Sequence, residues 1–587
     1  MTFILARLSA TGWNGWAIVV TPVLIFIAIA ALLGIPRGEE DDSPLAAAAR
    51  KLERIVGIPG WTAGTLGVGL GGLVLAMVGF YWDVAWHIDK GRDKQLFTPP
   101  HVLILLGLAS ILLAGAVAVA LASATRTDTR LRLGSLRIPW SALALGVVGG
   151  GAVFGFPLDD RWHKAYGIDV TMWGPTHLIM IGGASVATVV LWLVLAEGGV
   201  KAVRKTRGWR LHALVAGGAL AGLSALQGEF DFGVPQFQLL YHPVLILAAA
   251  GIALTAARMV LGRGGAIRTA VGFCVIRGFV ALFVGGLGYT TPHFPLYLAP
   301  AIGVELAAWI VGTDRLARYA VASAIGLVTV GLAGEWGWSH VWFLHPWTTS
   351  MLRDAVLVGG LAALGGAGIG VAFGVVVSGR GFDALQAFGR RRAAVAGLLA
   401  AACLLGVALG LPVKRVPSDV TGTLTLRKAG PVAYVDLTLM PANAADHARW
   451  FEVMTWQSGS LIVSKLDEVS PGHYRAEHPV PIAGKAKTLV RLQRGAELSA
   501  IPVRFPEDPQ ILAPEIAPVN RTARFERDSK LLMREAHRGN PLTARIIFAL
   551  LGAIVVSWLT VLFLAGRGIL TGRPAPARRE VALEPAA

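Results

Sequence analysis

Charge is scarce in this chain. Of its 587 residues, 15% are Asp, Glu, Lys or Arg, against 54% hydrophobic. That balance excludes an ordinary soluble domain and points to a membrane protein. Cysteine is almost missing too. Cys274 and Cys403 both fall inside apolar runs and offer neither a disulfide framework nor a CxxC motif. Also lacking are a Walker loop, an HExxH pair and a GxSxG serine with a well-placed histidine, so ATP-driven transport and the common hydrolase chemistries find no support. The net charge of +17 does not indicate nucleic acid as a partner. Its Lys and Arg sit in short clusters between apolar runs, as in cytoplasmic loops.

What is present is a succession of apolar runs long enough to cross a bilayer. They lie near 16–35, 62–82, 100–124, 138–156, 173–196, 211–228, 240–257, 269–287, 295–313, 319–335, 353–378, 393–411 and 544–566. No small-residue cleavage site follows the first, which therefore reads as an uncleaved span. Every second loop is basic, for example Arg126, Arg130, Arg132 and Arg137, then Lys201, Arg204, Lys205, Arg207 and Arg210. By the positive-inside rule these loops are cytoplasmic, the N-terminus is outside and the C-terminus is cytoplasmic. The expected location is the cell membrane, in a multi-pass arrangement whose immediate partner is the lipid bilayer.

Residues 412–525 change character. Runs such as "GTLTLRK", "VAYVDLTLM" and "KTLVRLQR" alternate with a period of two, which predicts about seven short strands in an extracytoplasmic immunoglobulin-like β-sandwich. The expected class is therefore mainly α, a polytopic membrane protein of about 13 transmembrane helices plus one outer β-sandwich. Its parts are a membrane domain over 1–411, the sandwich over 412–525, an amphipathic connector over 526–543, a final span over 544–566 and a disordered cytoplasmic tail over 567–587.

Within the membrane domain one stretch recurs. "WDVAWHIDKGRDKQLFTPPHVLILLG", 82–107, aligns without a gap on "LDDRWHKAYGIDVTMWGPTHLIMIGG", 158–183, at an offset of 76. The identities pair Asp83 with Asp159, Trp86 with Trp162, His87 with His163, Gly91 with Gly167, Asp93 with Asp169, Pro99 with Pro175, His101 with His177 and Gly107 with Gly183. Each copy, about 62–124 and 138–196, holds two spans, so the repeat is parallel. Asp83 and His87 are four residues apart and share a helix face. His101 opens the next span behind two prolines. A short loop can bring all three to one point, and Asp159, His163 and His177 likewise. Two imidazoles and a carboxylate suit copper, zinc or non-haem iron. Asp93 and Asp169 are candidates to orient a histidine through its other ring nitrogen. Structural roles compete, because Trp, His and Asp are common where helix ends meet water. Weaker clusters at Glu229, Asp231 and His242, at His293 and Glu305, and at Glu335, His340 and His345 do not follow the repeat's spacing. They are expected on the outer side, with Glu305 within a span, where a carboxylate is a functional candidate by default; capping or aromatic-belt roles are preferred.

Residues 80–190 resemble the metal-binding segment of one membrane component of the copper membrane monooxygenases, the particulate methane and ammonia monooxygenase family. "WDVAWH…RDKQLFTPPH" is similar to its Asp-x3-His-x12-His site, and the second copy to its Asn-x3-His-x13-His site. Here the first copy has thirteen intervening residues, and Asp159 stands where the family has Asn. The β-domain resembles the small FixH/YtkA-like sandwiches found near copper and oxidase assembly proteins. It carries His447, His473, His478, Met440 and Met454 but no Cys, so a blue-copper thiolate site is excluded. The resemblance implies copper at both triads, and a monooxygenase-like oxidoreductase or a subunit of one. Other membrane subunits, or a partner oxidase docking on the β-domain, are the partners it implies. Copper acquisition or delivery without catalysis remains the alternative. Bis-histidine haem ranks last, because haem ligands usually face each other from mid-helix.

Overall fold

The computed structural model describes residues 43–92, 97–167, 172–379, 419–536 and 539–572, with isolated positions between 395 and 404. The expected span at 16–35, most of that at 393–411, the tail beyond Gly572, and both Asp93 and Asp169 lie outside these residues. Among the described residues, ten helical segments are long and apolar enough to cross a membrane. The chain is mainly α, multi-pass in character, with an antiparallel β-sandwich near its C-terminal end.

After a short helix α1 (Pro44–Val56), the two repeat copies form helical hairpins: α2 (Gly60–Lys90) with α3 (Pro99–Ala124), and α4 (Trp140–Tyr166) with α5 (Pro175–Glu197). A small β-hairpin, β1 (Leu131–Leu133) and β2 (Leu136–Ile138), joins them. The repeated glycines set how closely the helices approach. A Cβ on Gly107 would stand 2.6 Å from the Ala76 backbone nitrogen, and one on Gly183 would stand 2.6 Å from Cβ of Ala152, the residue 76 positions after Ala76. Gly79 meets the Ile104 backbone and the Leu103 side chain, and Gly155, 76 positions on, meets the Met180 and Ile179 side chains. Lipid offers little hydrophobic drive for helix pairing, so small residues at the contact let dispersion and packing do it.

One expected span is broken. Where 295–313 reads as a continuous run, helix appears only over Leu298–Val311, about 21 Å long and short of the roughly 30 Å hydrocarbon layer. Residues 289–297 run ahead of it without helix or strand. Several of their backbone groups find individual partners, as irregular chain packed among apolar helices requires. His293 N donates to the Asp231 carbonyl (2.8 Å). The His293 carbonyl accepts from Arg277 (3.3 Å) and the Phe294 carbonyl from Trp338 Nε1 (3.0 Å). Leu296 N and Tyr297 N both donate to the Glu335 carboxylate (3.3 and 2.6 Å). Several buried polar residues are thereby explained by backbone rather than by chemistry.

Among the described residues the β-domain contains ten strands rather than about seven. They are β3 (Thr421–Ala429), β4 (Val432–Met440), β5 (Trp450–Trp456), β6 (Ile462–Ser470), β7 (His473–Ala476), β8 (Val480–Pro481), β9 (Lys487–Arg494), β10 (Glu497–Arg504), β11 (Arg521–Arg524) and β12 (Glu526–Arg527). Their order is β11-β3-β4-β7-β6-β5-β9-β10-β12, with β8 beside β4. Strand β6 pairs with β5 along its first half and with β7 along its second, and so links the two layers. On β5 and β9 both faces are covered. Val453, Val490 and Leu492 point into the sandwich core, whereas alternate residues face the helices. Trp450 packs against the helical core, Glu452 meets His345, and Gln493 accepts from Leu239 N (3.2 Å). The expected amphipathic connector reduces to β12, paired with Ser499 and Ala500, and a short helix, Asp528–Leu532.

Candidate metal centre

The repeat's identities sort by what each residue touches. Gly91 and Gly167 end α2 and α4 at φ +87° and +90°, a region that favours glycine. Each donates its N–H to a histidine carbonyl, His87 (3.2 Å) and His163 (2.9 Å). These bonds hold the last turn in place, and with it the histidine four residues back. Pro99 and Pro175 occupy the first position of α3 and α5, where proline loses no helical bond. Trp86 stacks on Tyr289 (5.9 Å), and Trp162 packs on Tyr166 (4.3 Å) and Phe548 (6.1 Å). The tryptophans therefore serve packing.

The three remaining pairs converge. His87 Nε2 lies 3.6 Å from Asp83 Oδ1, and His101 Nε2 lies 3.2 Å from the same oxygen. In the second copy His163 Nε2 lies 3.2 Å from Asp159 Oδ2, and His177 Nε2 lies 3.4 Å from Asp159 Oδ1. In each triad one donor atom per residue falls within 4.8 Å of the others. Two borderline nitrogens and one hard oxygen at these separations suit a first-row transition ion, so the residues fit the metal that the resemblance implies. The copies differ in one respect. Thr176 donates its hydroxyl to Asp159 Oδ1, while the corresponding residue of the first copy is Pro100, which has no hydroxyl.

Both triads line one cavity of about 420 Å³. His177 is near enough to Asp83 to act on it electrostatically. Below the triads the wall is mostly apolar, formed by residues such as Leu73, Ala76, Leu108, Phe156 and Ala184, with the Ser185 and Thr188 hydroxyls donating to backbone carbonyls. Above them the β-domain contributes Met454, Trp456 and Gln457, and the segment after β12 contributes Leu532 and Glu535. This roof is fastened to the end of α2. Gln457 N donates to the Ile88 carbonyl (2.8 Å), Gly459 N donates to the Asp89 carbonyl (3.2 Å), and Arg92 pairs with Asp508. Buried Glu535 pairs with Lys487 (3.0 Å). The triad side chains remain 17–32% exposed.

The weaker clusters separate. Glu229 is buried, lines the same cavity and accepts from Met172 N (3.3 Å). Asp231 instead holds Arg277 (2.9 Å) and accepts from the Tyr81 hydroxyl (3.1 Å). His242 Nδ1 accepts from Trp347 Nε1 (3.1 Å), and His340 Nδ1 lies 2.9 Å from the Trp336 carbonyl. His345 contacts Glu452 of the β-domain at 2.8 Å. Glu305 does not lie at the triad end. It pairs with Arg258 (2.7 Å) and caps Ala266 N (2.9 Å) at the other end of the bundle, because the short helix that carries it starts deep and runs away from the triads. His293 and Glu335 serve the irregular backbone described above. The cavity's roof had no local signal in sequence, since Met454 and Glu535 lie more than 350 residues from the first triad.

No family model matches the chain, and no curated protein or solved structure matches it.

Proposed function

We propose that the chain is a membrane metalloprotein that holds copper at Asp83, His87 and His101 and at Asp159, His163 and His177, on the extracytoplasmic side. The observation that carries this reading is that two carboxylate–His–His triads from a repeated hairpin line a single roofed cavity. The further reading is a monooxygenase-like oxidoreductase, or a subunit of one, acting on a small apolar substrate. Copper, when bound, supplies the redox chemistry that activates dioxygen. The chain's residues do the rest. Six ligating side chains position the ions, the apolar lower wall accommodates the guest, and the roof restricts water, which strengthens electrostatic interactions inside. The sequence resemblance over residues 80–190 supports copper and oxidation together.

A second reading, copper acquisition or delivery without turnover, is favoured by the β-domain, which covers the cavity and offers its far side to a partner oxidase. Copper-loaded protein in lipid nanodiscs, given a reductant and a short alkane, separates the two. Alkane-dependent dioxygen uptake supports the oxidoreductase. Stoichiometric copper with no such uptake, and transfer of that copper to an acceptor, supports handling and refutes turnover by this chain alone.

A further inference from the structure

Nine methionines occur in the chain, and four of them, Met77, Met172, Met180 and Met454, line the triad cavity. Thioether sulfur is a soft donor that selects copper(I). Methionine is also a common filler of irregular apolar gaps. The repeat distinguishes these roles. Met172 and Met180 bracket His177 in sequence, and Met180 follows it by three residues on α5, on the same helix face. At the offset of 76 the first copy has Leu96 and Ile104. Ile104 faces Gly79 through its backbone nitrogen, whereas Met180 faces Gly155 through its side-chain Cγ; the first hairpin closes with isoleucine at this position, so the helix contact does not demand methionine. Met172 sits beside a second cavity residue, because its backbone N–H donates to Glu229. Met172 and Met180 are both buried, at 7% and 8% exposure, within a chamber that also holds four imidazoles.

We propose that the second triad is a copper(I) site in which the Met172 and Met180 thioethers add soft donors to His163 and His177. The first triad has no methionine at either corresponding position. The two ends of one cavity then differ in the oxidation state they favour, with the softer end at the second hairpin. This rests on the reading that the triads hold copper.

The test is anaerobic loading of the full chain in detergent with copper(I), for wild type and the double variant Met172→Leu/Met180→Leu. Leucine keeps volume and apolarity, so the fold is retained. Met440→Leu, at a methionine 71% exposed on the β-domain, is the control. X-ray absorption is expected to show copper–sulfur scattering in wild type and in the control, and its loss in the double variant. Competition against a chromophoric copper(I) chelator is expected to show affinity weakened by about tenfold or more, the lower end of what losing a metal-site partner costs. Copper(II) stoichiometry should stay unchanged. Bound copper(I) with only nitrogen and oxygen neighbours, and equal affinity in both proteins, overturns the thioether site and leaves the triads standing. No copper bound by wild type overturns both readings.

Discussion

Removing Asp231 should cost this protein far more than removing an exposed carboxylate. Asp231 and Arg277 are fully buried, with side chains 0% and 1% exposed. Oδ2 of Asp231 receives Arg277 Nη2 at 2.9 Å and the Tyr81 hydroxyl at 3.1 Å. The guanidinium also lies over the Tyr81 ring, 3.7 Å from its centroid. In Asp231→Ala, the charge of Arg277 keeps only the His293 carbonyl at 3.3 Å and ring contacts among the described residues. Stranding a buried charge costs about 3–5 kcal/mol. Asp128→Ala breaks a pair whose side chains are 94% and 51% exposed, where the loss is below about 1 kcal/mol. Denaturant unfolding in detergent, followed by circular dichroism, compares the two. The double variant Asp231→Leu/Arg277→Met removes both charges and should recover most of the loss. An Asp231→Ala midpoint no lower than that of Asp128→Ala, or a double variant no better than the single, would refute the claim that this pair compensates its own desolvation.

Further expectations concern packing and the roof. Gly107→Ala drives a methyl against the Ala76 backbone and should cost about 1–3 kcal/mol while spreading the first hairpin. Gly150→Ala, with nothing within 4 Å of the new carbon, should be neutral, and equal unfolding midpoints for the two would sink the argument. Burial alone would raise the Asp508 carboxyl, but the Arg92 hydrogen bond and charge outweigh it and hold it below the usual range. A depressed folded value means that the contribution is present above the unfolded value of about 3.9 and lost as pH falls through the folded one. Protease nicking of the β-domain should therefore rise at the acidic end of that window in wild type and be flatter with pH in Asp508→Asn. An unchanged pH profile in the variant would remove Asp508 from the docking contact.

The hairpins and the triads were legible in sequence because eight polar or special residues repeat at one offset inside apolar text, where chance matches are mostly aliphatic. Asp83 and His87 at i, i+4 and proline at the start of the next helix already implied convergence. The broken helix was not legible. Hydropathy counts apolar residues, and "HFPLY", 293–297, is as apolar as a helix although its backbone is irregular. What makes that possible is Glu335 and Arg277, acceptor and donor distant in sequence. Strands β8, β11 and β12 are too short for alternation to register. Burial of Arg491 and Gln493 on β9 reads as an exposed face until the helices beneath are known. The shared cavity was likewise out of reach, because an offset relates two copies to each other without saying which way they face.

The most direct test of the central claim is metal stoichiometry in His87→Ala and His163→Ala beside wild type. Elemental analysis after copper loading should show each variant short by about one equivalent, with unfolding midpoints preserved because both histidines lie at helix ends rather than in the core. Undiminished copper in both variants would contradict the account.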